Sequence, residues 1–161
     1  MRRIHLLFVL VFVAACSLPG VTRAAPVPEF TFATDKGELR LESLRGKVVY
    51  LDYWASWCVP CRYSFPWMSE MQSRYGGSGL VIVAVNLDRD AAEARRFLAQ
   101  YPAGFTVAYD PEGKTAKAMA LKGMPTSFLI DRRGEVVGTH VGFREAGKHD
   151  LEAQIKAVLA R

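Results

Sequence analysis

The sequence predicts an α/β domain built on a mixed β-sheet flanked by helices. Two apolar runs, 48–54 and 80–85, have the length and composition of strands buried on both faces, as in a parallel sheet. A segment long enough for a helix separates them, and helix and strand patterns alternate up to residue 121. A hairpin and a last helix complete the chain, so antiparallel strands are expected beside the parallel ones.

Each element has its own signal. Alternating apolar residues on either side of 35–37 predict an N-terminal β-hairpin. The helix between the apolar runs should begin near Cys58 and end at 76–77, and Asp90 with Glu93 predicts the start of the next helix. In chain order, the remaining predictions are a strand at 105–108, a turn at 110–113, a helix at 115–121, a hairpin of strands 127–130 and 135–141, and a final helix striped by Leu151, Ile155, Val158 and Leu159.

The N-terminal segment is typical of an export signal. Arg2 and Arg3 precede an almost unbroken apolar run at 4–16. This run is shorter than the about 20 residues that a membrane-spanning helix needs, so the sequence favours cleavage. We therefore expect a protein of the periplasm or cell envelope.

Two cleavage sites remain open. Cleavage after Ala24 would make 1–24 a signal peptide and 25–161 the mature domain. The run that ends at Cys16 resembles a bacterial lipobox, in which case 1–15 is removed and Cys16 becomes a lipidated first residue. The mature protein is soluble in the first case and lipid-anchored in the second, and Cys16 performs no redox chemistry in either.

Composition and charge exclude several classes of protein. The chain has 161 residues, half of them hydrophobic and 23% charged, which suits one globular domain and argues against disorder. Removing 1–24 takes away three arginines and no acidic residue, so the formal net charge falls from +5 to +2. Neither charge clusters nor motifs indicate nucleic-acid binding, and we expect a monomer.

Two of the three cysteines lie in one Trp-Cys-Val-Pro-Cys run. Because Cys58 and Cys61 are three residues apart at a helix start, their Cβ atoms should lie on one face at roughly 5–6 Å, within disulfide reach. The positive end of the helix dipole favours a thiolate on Cys58, which is therefore the predicted nucleophile. Cys61, one turn deeper, is placed to resolve a mixed disulfide. Pro60 stiffens the loop between them.

Other uses of the pair are less favoured. A structural disulfide across a four-residue loop restrains little of the unfolded chain. A zinc site needs four ligands, and the mature chain adds only His140 and His149 to the pair, in neither of the usual spacings. We therefore predict neither a metal nor a cofactor.

Four features occur together: the Trp-Cys-x-Pro-Cys motif, Pro66 five residues after the second cysteine, Gly-Met-Pro-Thr at 123–126, and an additional helix and strand at 89–109. In this combination the sequence, over about 28–159, resembles the TlpA/ResA-like branch of exported thiol–disulfide oxidoreductases. The resemblance implies a thioredoxin fold with an N-terminal β-hairpin and a central helix-strand insertion. It also implies that the cysteine pair is a redox-active disulfide.

The resemblance extends to residues outside the motif. The family's cis-proline maps onto Pro125, where the Met124 backbone would lie beside Cys58 and pair with a substrate peptide; otherwise Pro125 simply starts an edge strand. Asp52 corresponds to the buried aspartate of thioredoxins by its distance from Cys58. An acid in a buried strand should have a raised pKa and could accept the proton of Cys61, unless it faces solvent at a sheet edge.

Trp57 and Pro60 complete the predicted substrate-binding residues, with Trp57 as the apolar surface that substrates meet. The sequence departs from the family at Ser64, where close relatives carry a glutamate, and at 126–127, where cytochrome c maturation reductases usually show Glu-Thr. The resemblance thus implies the thiol chemistry and leaves the pathway open, including any role in cytochrome c maturation.

Three functions fit these observations. The leading one is reduction of disulfides in exported client proteins, with a membrane thiol relay as electron donor. A dithiol oxidase or isomerase would reverse the direction, and its midpoint potential would lie near about −120 mV rather than near about −270 mV. A copper-binding thiol chaperone would use both thiolates and His140.

Overall fold

The computed structural model describes residues 26–161, so the export signal, both cleavage sites and Cys16 lie outside the described residues. The strands are β1 (Thr31–Thr34), β2 (Gly37–Arg40), β3 (Val48–Trp54), β4 (Leu80–Asn86), β5 (Thr106–Tyr109), β6 (Thr126–Ile130) and β7 (Val136–Val141). The helices are α1 (Cys61–Tyr75), α2 (Ala91–Gln100), α3 (Lys114–Ala118) and α4 (Lys148–Leu159). None of the helices within 26–161 is long and apolar enough to cross a membrane.

The seven strands form one mixed sheet in the order β2-β1-β5-β4-β3-β6-β7. Strand β3 is buried along its whole length, parallel to β4 and antiparallel to β6. Its side chains alternate between two cores. Tyr50 and Trp54 pack with α1, α2 and α4, whereas Leu51 and Tyr53 pack with α3 and the segment before β1. The predicted mixed sheet flanked by helices is confirmed.

The additional helix and strand at 89–109 are also confirmed, as α2 and β5. Strand β5 is parallel to β4 on one side and antiparallel to β1 on the other. The insertion therefore joins the predicted N-terminal hairpin, β1 with β2, to the edge of the central sheet. Asp90 caps α2 as expected, since its carboxylate accepts a hydrogen bond of 2.8 Å from the Ala92 N–H.

Two helix ends differ from the prediction. Helix α1 begins at Cys61 rather than near Cys58, because the chain first makes a turn in which the Cys61 N–H donates to the Cys58 carbonyl at 3.1 Å. Pro60 is the N-cap of the helix rather than part of its first turn. Helix α3 ends three residues before the predicted end, since Ala120 has a left-handed backbone conformation (φ 50°) that a helix cannot continue through.

Candidate active site

The two motif cysteines are joined in a disulfide, with their Cα atoms 5.4 Å apart. They follow the carboxyl end of β3, in and just after the turn that leads into α1. Cys58 is 3% exposed and Cys61 is 0% exposed. Cys58 is therefore the slightly more exposed residue of the pair, and its role as the nucleophile stays a prediction.

The start of α1 gives the cysteines a favourable electrostatic position. A helix N-terminus has unpaired N–H groups and the positive end of the helix dipole, both of which favour negative charge on a neighbouring sulfur. No acidic residue stands in the first turn of α1 to oppose this effect. Ser64 is buried, and its hydroxyl donates to the Cys61 carbonyl at 3.2 Å.

Asp52 is buried on β3 and is only 2% exposed. It lies two residues from both Tyr50 and Trp54, and the alternation of a strand places it on their face of the sheet, with Cys61 and α1. Within 26–161, its Oδ2 atom has no hydrogen-bond partner. Burial raises the pKa of Asp52 well above its ordinary value, so the carboxyl stays protonated over a wider pH range.

Two hydroxyl groups share this face. Ser127 on β6 stands directly opposite Asp52 in the β3–β6 register. Its hydroxyl is hydrogen-bonded to that of Tyr50 at 2.7 Å. Burial and the neighbouring Asp52 charge both raise the pKa of Tyr50, so this phenol is neutral beside the carboxyl. The solvent-facing alternative for Asp52 is wrong, because β3 is a central strand.

The Met124–Pro125 peptide bond is cis, as the resemblance implied for Pro125. The Pro125 carbonyl accepts a hydrogen bond of 2.7 Å from the Gly142 N–H, and the Thr126 hydroxyl donates to the Gly123 carbonyl at 2.7 Å. The first bond ties the segment before β6 to the residue after β7, and the second closes the segment on itself. Within the described part of the chain, the N–H and C=O of Met124 itself have no hydrogen-bond partner, which leaves both groups free for an added strand.

The large hydrophobic side chains that residues 26–161 expose are concentrated around the disulfide. Trp57 is 66% exposed, and Val59 and Tyr63 lie in the same turn and first helical turn. Val141, at the end of β7, lies close to Gly123: a Cβ atom on that glycine would stand 3.1 Å from the Val141 side chain. The prediction for Trp57 agrees with this exposure. Tyr63 and Val141 were not predicted as part of an apolar surface.

Asp88 is a site residue that the sequence reasoning missed. Its carboxylate accepts hydrogen bonds from the Ser56 N–H at 2.9 Å and the Ser56 hydroxyl at 3.0 Å, and a third from the Asn86 side chain at 2.8 Å. It thereby ties the turn before Cys58 to the end of β4. The signal was available, because polar residues directly after a buried parallel strand often serve the site at that edge.

Two other aromatic residues near the motif, Trp54 and Trp67, are buried in the core beneath the turn and α1. The Trp54 ring packs against Phe65 at 4.8 Å and against Phe97 at 4.7 Å between centroids. Trp67 is likewise buried, beside Tyr50 at 5.6 Å. These rings are core residues, and their packing fixes β3 and α1 relative to each other.

His140 lies on β7, directly opposite Ser127 in the β6–β7 register. Burial lowers its pKa, and a hydrogen bond with Gln154 acts in the opposite direction. Across the described range 26–161, no group of three or more His, Cys, Asp or Glu side chains is arranged to hold a metal ion. The copper hypothesis for His140 stays a prediction.

Comparisons with known proteins identify the family of the chain. The family model described as Redoxin matches residues 22–155. Thiol-disulfide oxidoreductase ResA of Bacillus thuringiensis subsp. konkukian (strain 97-27) is 34% identical over 132 residues, which cover 81% of this chain and 75% of that protein.

Two solved structures extend the likeness to the fold. A protein from Chlorobium tepidum, assigned as the thiol:disulfide interchange protein DsbE, is 53% identical with a TM-score of 0.83 and covers 87% of this chain and 99% of its own. The pneumococcal exposed lipoprotein thioredoxin of Streptococcus pneumoniae strain TIGR4 is 30% identical with a TM-score of 0.70, covering 81% and 99%. The chain therefore has a thioredoxin-like fold, belongs to the Redoxin family and is a thiol–disulfide oxidoreductase similar to ResA and DsbE.

Proposed function

We propose that the protein reduces disulfides in exported proteins. The observation that carries this direction is the surroundings of the cysteine pair. A strong oxidant requires a reduced form that is stabilised through its thiolate. Here only the start of α1 favours the thiolate: Val59 and Pro60 between the cysteines carry no charge, Arg62 is exposed to solvent, and the burial of both cysteines disfavours a negative charge. The dithiol is therefore a good electron donor.

The reaction proceeds by two exchanges. The Cys58 thiolate attacks one sulfur of the client disulfide, which forms a mixed disulfide and releases the client's other sulfur as a thiolate. The Cys61 thiolate then attacks the Cys58 sulfur, forms the Cys58–Cys61 disulfide and releases the client's second thiolate. Two electrons pass to the client, and a dithiol donor must then reduce the protein again.

We assign the neighbouring residues to these steps. Asp52 accepts the proton of the Cys61 thiol before the second exchange, a role supported by its burial on the sheet face that packs with Cys61 and by its raised pKa. Met124 offers its free N–H and C=O to a client strand, and Pro125 fixes that segment. Trp57 offers the client an apolar surface beside Cys58. Pro60, the N-cap of α1, fixes the direction in which the turn enters the helix.

We further propose that the protein works in the bacterial periplasm or cell envelope as a monomer. The apolar run at 4–16 behind two arginines supports export, with 1–24 or 1–15 as the signal peptide. The likeness to a lipoprotein thioredoxin supports the second boundary, with Cys16 as the lipid anchor. A membrane thiol relay is the electron donor that suits a dithiol in this compartment. Intact-mass measurement of the mature protein distinguishes the two boundaries.

The test is a substitution that stops the reaction halfway. The Cys61→Ala variant should accumulate mixed disulfides through Cys58 with exported proteins, whereas Cys58→Ala should accumulate none. Absence of trapped proteins in envelope extracts contradicts the proposal. The midpoint potential then decides the direction: a value near about −270 mV supports a reductase, and one near about −120 mV supports an oxidase.

A further inference from the structure

An open groove of about 820 Å³ lies beside the disulfide, between Trp57 and the chain around α3. Its floor and walls include Leu87, Leu121 and Met124, so one side of the groove is the segment whose backbone groups are free. Two of its nine lining residues are the lysines Lys117 and Lys122, and none is acidic. The lining is thus largely apolar, and both of its charged residues are cations.

The charge of these lysines is available to a ligand. Lys114, on the same helix as Lys117, forms an ion pair with Glu112 at 2.6 Å. Lys117 and Lys122 are both exposed, and neither forms an ion pair with any residue in 26–161. A carboxylate that entered the groove would therefore meet two cations without displacing an internal partner.

The part of the wall that carries Lys117, helix α3, is fixed to the sheet. The Asp110 carboxylate, directly after β5, accepts hydrogen bonds from the N–H groups of Lys114 at 2.9 Å, Thr115 at 2.8 Å and Ala116 at 3.2 Å. These bonds cap the N-terminus of α3. The groove is therefore preformed, which lowers the entropy that a bound peptide must offset.

We propose that this groove selects client segments that carry acidic side chains next to the cysteine under attack. The inference rests on the proposed function, since it names the client chemistry of the same site. An extended client segment pairs with the free Met124 backbone, places an apolar side chain on Trp57, and directs neighbouring carboxylates to Lys117 and Lys122. A client with lysines at those positions meets like charge and reacts more slowly.

The experiment compares two synthetic peptides, each with one internal disulfide, identical except for Asp or Lys on both sides of the cysteines. The rate constant for reduction by the dithiol protein is measured at low salt. We expect the acidic peptide to react faster by on the order of tenfold, and the difference to shrink at about 1 M salt, where charges are screened beyond about 3 Å. The Lys117→Glu/Lys122→Glu variant should reverse the preference.

The matched control is Lys36→Glu/Lys47→Glu, which changes the net charge equally. Lys47 precedes β3, at the end of the sheet opposite to the motif. Lys36 lies in the β1–β2 turn, which the antiparallel β1–β5 pairing brings to that same end. This control should keep the preference for the acidic peptide. Equal reduction of both peptides, or loss of preference in the control, overturns the groove inference alone, whereas failure to reduce either peptide overturns the proposed function as well.

Discussion

Replacing Asp52 with Asn should make the protein less active, and more stable at high pH. Burial holds the pKa of Asp52 well above its ordinary value in the folded protein. Such a group stabilises the fold while it is protonated. That contribution is complete below the unfolded pKa of about 3.9 and is lost as pH rises through the higher folded pKa. The wild type therefore loses stability over this window, and the Asn variant does not.

The size of the effect follows from the contacts of the carboxyl. Its Oδ2 atom has no hydrogen-bond partner among the described residues, and an uncompensated buried polar group costs about 1–3 kcal/mol, more when charged. We expect the two proteins to have similar free energies of unfolding at about pH 4. Once the pH has passed the folded pKa of Asp52, the Asn variant should be more stable by about 1–3 kcal/mol, or roughly 4 °C in Tm per kcal/mol.

The assay is urea unfolding of the oxidised proteins at a series of pH values. Glu38→Gln, an exposed acid on β2, is the control and should leave the pH dependence unchanged. Parallel stability curves for wild type and Asp52→Asn refute the assignment of the raised pKa. In the same variant, resolution of a Cys58 mixed disulfide should slow at least about tenfold, because a general base is missing. An unchanged resolution rate refutes the proton role and leaves the stability result intact.

Three further substitutions probe the scaffold of the site. Asp88→Ala removes both hydrogen bonds to Ser56 and should cost about 1–3 kcal/mol in urea unfolding while lowering the rate of disulfide exchange; unchanged values for both would contradict its positioning role. Phe65→Ala removes the ring that packs on Trp54 at 4.8 Å and should cost about 3–5 kcal/mol in thermal unfolding, so a loss below about 1 kcal/mol would be inconsistent with that packing. Trp57→Ala should change stability by less than about 0.5 kcal/mol, because the ring is 66% exposed, yet lower kcat/KM for a peptide disulfide several-fold; equal kcat/KM would argue against substrate contact.

Local pattern was enough to predict the central strands and the chemistry. An unbroken apolar run identifies β3 because both of its faces are covered, and the period of two in a strand then places Asp52 with Tyr50 and Trp54. The three-residue spacing of Cys58 and Cys61 likewise predicts that the two cysteines lie within disulfide reach. The start of α1 was predicted too early because a proline-containing turn precedes it, and its hydrogen bonds resemble those of a helix.

Features that depend on distant parts of the chain could not be read from the sequence. The place of β5 between β1 and β4 is decided by strand pairing between segments far apart in the chain, for which no local pattern exists. Lys117 and Lys122 look like ordinary surface lysines until the structure shows that both line the same groove. The exposure of Val141 likewise follows from where β7 ends relative to Gly123.

Sheet topology explains why these distant residues meet. Strands β3, β4 and β5 are parallel, so the segments that follow them, with Cys58, Asp88 and Asp110, all emerge at one edge. Strand β6 runs antiparallel to β3, so the segment before it, with Met124, begins at that same edge. The four segments contribute differently to the site. The first carries the sulfur, the second holds its turn in place, the third caps the helix that bears Lys117, and the fourth offers backbone groups. Since β5 belongs to the insertion, the groove wall with Lys117 depends on it, and the proposed client selectivity can vary with the insertion while the cysteine chemistry stays on β3 and α1.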